Sequence, residues 1–386
     1  MEVKKKINNG VDRLIEFKDE YLMDRVGLLT TGASMDRHLN STLAVINNHM
    51  DLTSLFGAEF GVLGEKASGE RYESYKDIWT GLTVFSLYRY GSFHFTHEML
   101  ASFDTLFVDL PLTGLRYDSY IETLHRLLRQ LGNTDKKVVI LDRPNPLGGE
   151  LVQGPVIEDD YMSDDGFPLP IRYGMTIGEL AIMMNTVNNL HCNLHVIELR
   201  NWERKDVFDD TDVLWNMPRL EYPNLDGLIL ASGLHLLEGT NVSFGEGTSL
   251  PFQVIAAPFL DGVQLAANLN KALISGIRFT PIYFTPTKGM YQGTKVQGVR
   301  IHVTQRKKIK PIAMAITIIA ELKRIVDKDL LFVPADNEQY LKIDKMFGNS
   351  KLSRQHANSQ ELIRETKREA DTFKEKSKEF YLYNNE

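Results

Sequence analysis

Cysteine is almost missing from this chain: Cys192 is the single one in 386 residues. That excludes an internal disulfide and leaves no thiolate cluster for a metal. Cys192 itself reads as a small hydrophobe near the start of a strand. No apolar run reaches the roughly 18 residues needed to cross a bilayer. The amino terminus, MEVKKKINNGVDRLIEF, begins basic but lacks the apolar stretch of a secretory signal, which points to a cytoplasmic protein without membrane attachment. A basic excess is absent too. The formal net charge is −7, which argues against a general nucleic-acid binder and means that any anionic ligand needs a local cluster of Arg or Lys.

Missing signatures narrow the chemistry further. There is no G-x-S-x-G nucleophile elbow and no H-E-x-x-H zinc helix. His94 and His97 are spaced H-x-x-H, but no third ligand accompanies them. The first βα loop, LLTTGAS, holds only Gly32, short of the G-x-G-x-x-G of a dinucleotide site. Gly245 and Gly247 make a lone G-x-G, with Glu246 between them opposing an anion.

What is present is an alternating α/β text. Hydrophobic residues make up 43% and charged residues 25%, as in soluble globular proteins, and the length favours two domains. Apolar runs at 26–29, 52–56, 84–87, 105–110, 138–141 and 194–199 read as strands. Amphipathic spacers separate them; in 120–131, Leu124, Leu127, Leu128 and Leu131 share one helical face. This pattern predicts a mostly parallel, doubly wound sheet over residues 1–205. A smaller α/β or α+β domain follows over 206–386, in which 206–235 reads as mixed and loop-like. Strands at 282–284 and 299–303 and a helix at 312–325 come next. From Ser359 the tail carries Ile363, Thr366, Ala370, Phe373, Ser377 and Phe380 at three- and four-residue steps, the stripe of a docked helix. Thr176 and Glu179 form a T-x-x-E capping box, so Glu179 reads as structural.

The most informative stretch is KVVILDRPNPLGG, residues 137–149. A buried parallel strand there ends in Asp142, Arg143 and Asn145 on a proline-stiffened loop, where open α/β sheets hold ligands. The same residues also fit a turn whose Asp caps backbone amides. Glu59, at the end of the second strand and beside Phe60, reads as a carboxyl with a raised pKa, suited to a general acid; an ordinary loop glutamate is the alternative. Arg116 and Tyr117 follow the fourth strand, where an Arg can grip a carboxylate and a Tyr can stack on a sugar, or where both merely pack and solvate. In LEGTNVSFGEGT, Glu238, Thr240 and Asn241 offer directed polar groups among small residues. Glu59 and Glu238, one from each half, suit glycoside hydrolysis, with retaining and inverting outcomes both open.

The stretches FGAEFGVLGEKASGE, FDTLFVDLPLTGLRY, VVILDRPNPLGGELVQGP, PIRYGMTIGELA and LLEGTNVSFGEGTSLPF resemble, in order, the NamZ-type exo-β-N-acetylmuramidases, a glycoside hydrolase family. The resemblance implies a Rossmann-like domain, a smaller carboxyl-terminal domain and an active cleft between them. It implies release of N-acetylmuramic acid from non-reducing ends of peptidoglycan fragments, hence a muramyl saccharide or muropeptide partner and no metal or organic cofactor. Glu59 then matches the catalytic acid of an E-H-G motif. Asp142, Arg143 and Asn145 match a D-R-P-N loop, and Glu238 to Asn241 match E-G-T-N; Arg116 and Tyr117 match an Arg and an aromatic. Arg143 or Arg116 would grip the lactyl carboxylate that distinguishes muramic acid from glucosamine. Three positions depart from the pattern: Phe60 and Tyr173 stand where the family has His, and Glu246 where it has Arg. Tyr173 is therefore counted among the substrate-binding candidates. A non-catalytic binder or sensor of muramyl ligands is the alternative function.

Overall fold

Runs of β-branched and large apolar residues, buried on both faces, build the central sheet. The computed structural model describes residues 4–87, 94–216, 218–219, 221–335, 339–354 and 359–384. Helix α1 (Gly10–Arg13) precedes strand β1 (Val26–Thr30), helix α2 (Thr42–His49) and β2 (Leu52–Gly57). Then come β3 (Tyr75–Lys76), β4 (Thr83–Ser86), α3 (His97–Ala101), β5 (Thr105–Val108), α4 (Ser119–Leu131) and β6 (Lys137–Leu141). A hairpin of β7 (Gln153–Val156) and β8 (Pro170–Arg172) leads to α5 (Ile177–Val187) and β9 (Asn193–Ile197). The strand order is β3-β4-β2-β1-β5-β6-β9, parallel except for the edge pair β3–β4. All six expected strands are there; the seventh has only two residues, too few to show a pattern.

Successive residues serve opposite faces. Leu29, Leu106, Val108, Val138 and Ile140 pack with Leu124, Leu127 and Leu128 of α4 and Leu180 of α5. Val26, Leu28, Phe107, Val139 and Leu141 pack with Leu43 and Ile46 of α2 on the other side. The sheet is thus doubly wound, and its order reverses beside β1. The crevice at the carboxyl ends of β1 and β5 is where such sheets bind ligands.

The second half holds α6 (Leu225–Leu234), β10 (Val254–Ala257), α7 (Gly262–Lys271), β11 (Ile277–Phe284), β12 (Val296–Val303) and α8 (Pro311–Val326). Short α9 (Lys342–Phe347) and α10 (Lys351–Arg354) precede α11 (Ser359–Ser377). The three strands form an antiparallel sheet, β10-β12-β11.

Two expectations need correction. The segment 206–235, read as loop-like, contains α6. Leu225, Leu228, Leu230 and Leu234 are buried around its whole circumference, so no stripe exists to be recognised. Gly233 lets it approach α8, since a Cβ there would lie 2.1 Å from the Pro311 carbonyl oxygen. Strand β11 begins five residues before 282 because Pro281 is tolerated on an edge strand. Helix α11 shows the expected stripe, with Thr366, Ala370, Phe373 and Ser377 buried. Its Leu362 joins the core of the second half, whereas Phe373 joins that of the sheet, so α11 straddles both.

Candidate active site

The turn after β6 is tied down from several sides. Asp142 is fully buried; its Oδ1 accepts from the amides of Arg143 (2.9 Å) and Gly178 (2.8 Å). Its Oδ2 accepts from Thr176 Oγ1 (2.8 Å) and from the hydroxyl of Tyr383 (2.5 Å). Burial, outweighing these donors, pushes the carboxyl up to about 7. Asn145 is used in the same way: Nδ2 donates to Met175 O (2.9 Å) and Oδ1 accepts from Leu147 N (2.9 Å). Arg143 grips both oxygens of Asp109, with Nη2–Oδ2 at 2.7 Å, and also donates to Met35 O. The capping reading therefore describes this turn as it stands, and the three side chains are engaged with protein partners.

Glu59, two residues past the end of β2, is 6% exposed. Its Oε1 accepts from Ser68 Oγ (2.8 Å) and Gly69 N (3.2 Å), and its Oε2 from Ser119 Oγ at the start of α4. Arg219 donates to the same Ser119 oxygen (2.8 Å) and to Asp118 Oδ1 (2.7 Å). Its guanidinium lies over the rings of Phe60 and Tyr120, at 5.0 and 5.5 Å. Burial opposes its charge, but Asp118, Tyr222 and Glu59 outweigh that and hold it firmly protonated. Arg219 was absent from the candidates because its segment has no periodicity. One signal was available: it is the only Lys or Arg between residues 206 and 270.

Glu238 sits in the single turn that follows α6. His235 Nδ1 bonds its Oε1, and Lys342 Nζ lies 3.3 Å from its Oε2. Burial raises this carboxyl, yet His235 and Lys342 together bring it below its ordinary value. The far side of the His235 ring bonds the Tyr222 hydroxyl at 2.8 Å, and the ring of Tyr117 packs 4.7 Å away.

The loop 116–119 thus reaches both carboxylates, with Ser119 on Glu59 and Tyr117 on the histidine that holds Glu238. The remaining candidates, Tyr173 apart, hydrogen-bond to protein partners elsewhere. Arg116 donates to the carbonyls of Pro155, Leu169, Met346 and Phe347, at 2.8 to 3.0 Å, and burial lowers it to about 10. This corrects the expectation that Arg116 stands free for a carboxylate; the same holds for Arg143. Tyr117 donates its hydroxyl to Met346 O (3.1 Å), and Tyr173 is wholly buried. Thr240 donates to Leu237 O (2.8 Å), while Asn241 pairs with Asp329 O and Leu331 N (2.8 and 2.9 Å).

A hollow adjoins the turn at the carboxyl ends of β1, β5 and β6. Ala33, Leu112, Arg143, Trp215, Asn216 and Pro218 border it. Asn216 Nδ2 ties its wall to Ala33 O at 2.9 Å. Pro218 is next in sequence to Arg219, so the hollow and the Glu59 cluster are joined by two consecutive residues.

A doubly wound sheet, acidic side chains from both halves held by hydroxyl and imidazole partners, and a hollow with an indole in its wall are features of a carboxylate-dependent glycoside hydrolase. The chain belongs to the exo-β-N-acetylmuramidase NamZ family. The family's amino-terminal profile matches residues 26–226 and its carboxyl-terminal profile residues 230–383. The chain is 33% identical to the peptidoglycan β-N-acetylmuramidase NamZ of Bacillus subtilis strain 168, across 98% of this chain and 92% of that one. A crystal structure of a DUF1343 family protein from Bacteroides fragilis superimposes with a TM-score of 0.89 at 30% identity, covering 99% of this chain and all of that one. A second DUF1343 protein from the same organism shares the fold, with a TM-score of 0.76 at 22% identity and the same coverage.

Proposed function

We propose that this chain is an exo-acting glycoside hydrolase that releases N-acetylmuramic acid, or a related amino sugar, from the non-reducing ends of peptidoglycan fragments. Glu59 donates a proton to the leaving oxygen. Glu238, kept anionic by His235 and Lys342, activates water or attacks the sugar carbon. Protonating the departing oxygen avoids expelling an alkoxide, and the anion opposite stabilises the positive charge that develops on the ring. The observation that carries this reading is the 116–119 segment: Ser119 bonds Glu59, and Tyr117 packs on His235, the histidine bonded to Glu238.

The cation assigned to the lactyl carboxylate is Arg219 rather than Arg143 or Arg116. It shares Ser119 with the acid, and its Nε has no hydrogen-bond partner. The deciding experiment incubates the protein and its Glu59→Gln variant with an N-acetylmuramyl disaccharide, whose sugar leaving group needs the acid. Release by the parent alone supports the hydrolase; binding without release by either overturns it in favour of a muramyl-ligand sensor.

A further inference from the structure

Among the described residues, arginines taken out of water have their charge answered nearby, with one exception. Arg143 faces Asp109, Arg204 faces Glu179 and Arg219 faces Asp118. Arg116 has no carboxylate but reaches four carbonyls. Arg172, at the end of β8, is 4% exposed and differs from all of these. Its Nη2 donates to Leu147 O and its Nε has no partner; among the described residues no carboxylate pairs with it. Burial alone acts on its charge, lowering it to about 10. An unpaired cation removed from water is among the costliest groups a fold can carry.

Arg172 borders a small hollow at the seam between the halves, which Ile229 of α6 and Asp209 also line. Arg306 and Lys307 stand at its rim, and both already have carboxylate partners. Arg306 meets Asp226 and Asp209 at 2.6 Å, and Lys307 meets Asp210 at 2.8 Å. Those two cations meet three carboxylates, so the rim carries one net negative charge, and of the three cations Arg172 alone is left without a carboxylate of its own.

We propose that this hollow binds a compact oxyanion, a phosphate or a small carboxylate, with Arg172 as its counter-ion. One of the five guanidinium N–H groups is used by Leu147, which leaves Nε and its neighbours to grip two oxygens of an anion. Bound to the folded chain alone, the ion stabilises it by mass action. The proposal is independent of the hydrolase reading, because it concerns binding and not turnover.

Thermal unfolding tests it, with sodium phosphate and sodium acetate titrated separately into chloride of matched ionic strength. The parent is expected to show a saturable rise of about 1–3 °C at tenfold excess over Kd with at least one anion. The two arms distinguish phosphate from carboxylate. In Leu151→Glu, a new carboxylate stands at the rim, and because Leu151 is 41% exposed the fold should tolerate it; the rise should shrink or vanish. Arg172→Met should show no rise, melting no lower than the parent in chloride but below it in saturating anion. A parent that responds to neither anion overturns the proposal, as does an equal response in both variants. If Arg172→Met does not fold, Leu151→Glu decides.

Discussion

The hydroxyl of Tyr383 donates to Asp142 across 241 residues of sequence, at 2.5 Å. The same hydroxyl accepts from Leu199 N at 2.9 Å, so the end of the chain is pinned to the carboxyl edge of the sheet. Burial keeps the Asp142 carboxyl protonated up to about pH 7, whereas its ordinary pKa is 3.8. Between those values the folded chain holds a proton that the unfolded chain has released, so stability falls as pH rises through that window. Glu179, raised by burial despite Arg204, acts in the same direction. Asp142→Asn removes one titration. Chemical denaturation at pH 5 and pH 8 should therefore show the parent losing roughly 2 kcal/mol more than the variant. A difference near zero would mean that Asp142 is charged in the fold.

Arg116 joins β7 and β8 of the first half to the end of α9 in the second through its four carbonyl partners. Removing it takes a donor from each of four carbonyls, although Met346 O keeps the Tyr117 hydroxyl and Leu169 O the Ile157 amide. Arg116→Ala should lower unfolding stability by roughly 3–5 kcal/mol, while the activity of the folded fraction changes little. Arg116→Lys should rescue poorly, since one ammonium lacks the fork geometry to reach four carbonyls. Unchanged urea midpoints with weaker binding of muramyl ligands would instead restore the substrate-holding role that its loop position suggested.

Much of the fold is legible in the residues themselves. Runs such as 138–141 are apolar at every position because both faces of their sheet are covered, and they stand out wherever turn residues bound them. Helix α6 is covered on all sides as well, but its glycines and unbroken apolarity carry neither the helical nor the strand period. The candidate site is harder to read for a different reason. An Asp, an Arg and an Asn at a strand end look alike whether they face a ligand or cap a helix. What separates the two here is Tyr383, Thr176 and Asp109, partners that only the tertiary structure brings in. Arg219 was missed because its meaning lies wholly in what it reaches, Ser119 and Asp118, 100 residues or more earlier.

Arg219 gives the sharpest test of substrate choice. Muramic acid differs from glucosamine by a lactyl ether whose carboxylate needs a cation. Arg219→Met should reduce kcat/KM for an N-acetylmuramide at least about tenfold more than for the matching N-acetylglucosaminide. Arg219→Lys should recover part of the lost ratio. If both substrates fall equally, Arg219 serves only to hold Ser119 and Asp118, and its assignment to the lactyl group fails.

The two carboxylates should separate by their dependence on the leaving group. An acid matters most when the departing oxygen is a poor leaving group, as in a sugar alcohol, and least for a nitrophenolate that departs unaided. Glu59→Gln should therefore cost about 10²–10⁴-fold with a disaccharide substrate and far less with a nitrophenyl muramide. In the proposed division of labour Glu238 acts on the sugar carbon, so Glu238→Gln should slow both substrates by similar factors. Its pH profile carries a second signature. His235 and Lys342 hold Glu238 below its ordinary value, so the acid limb of kcat/KM in the parent should fall below pH 4.5. Lys342→Met should move that limb upward. If Glu59→Gln and Glu238→Gln show the same leaving-group dependence, the division of labour between acid and second carboxylate is wrong, even if both residues prove essential.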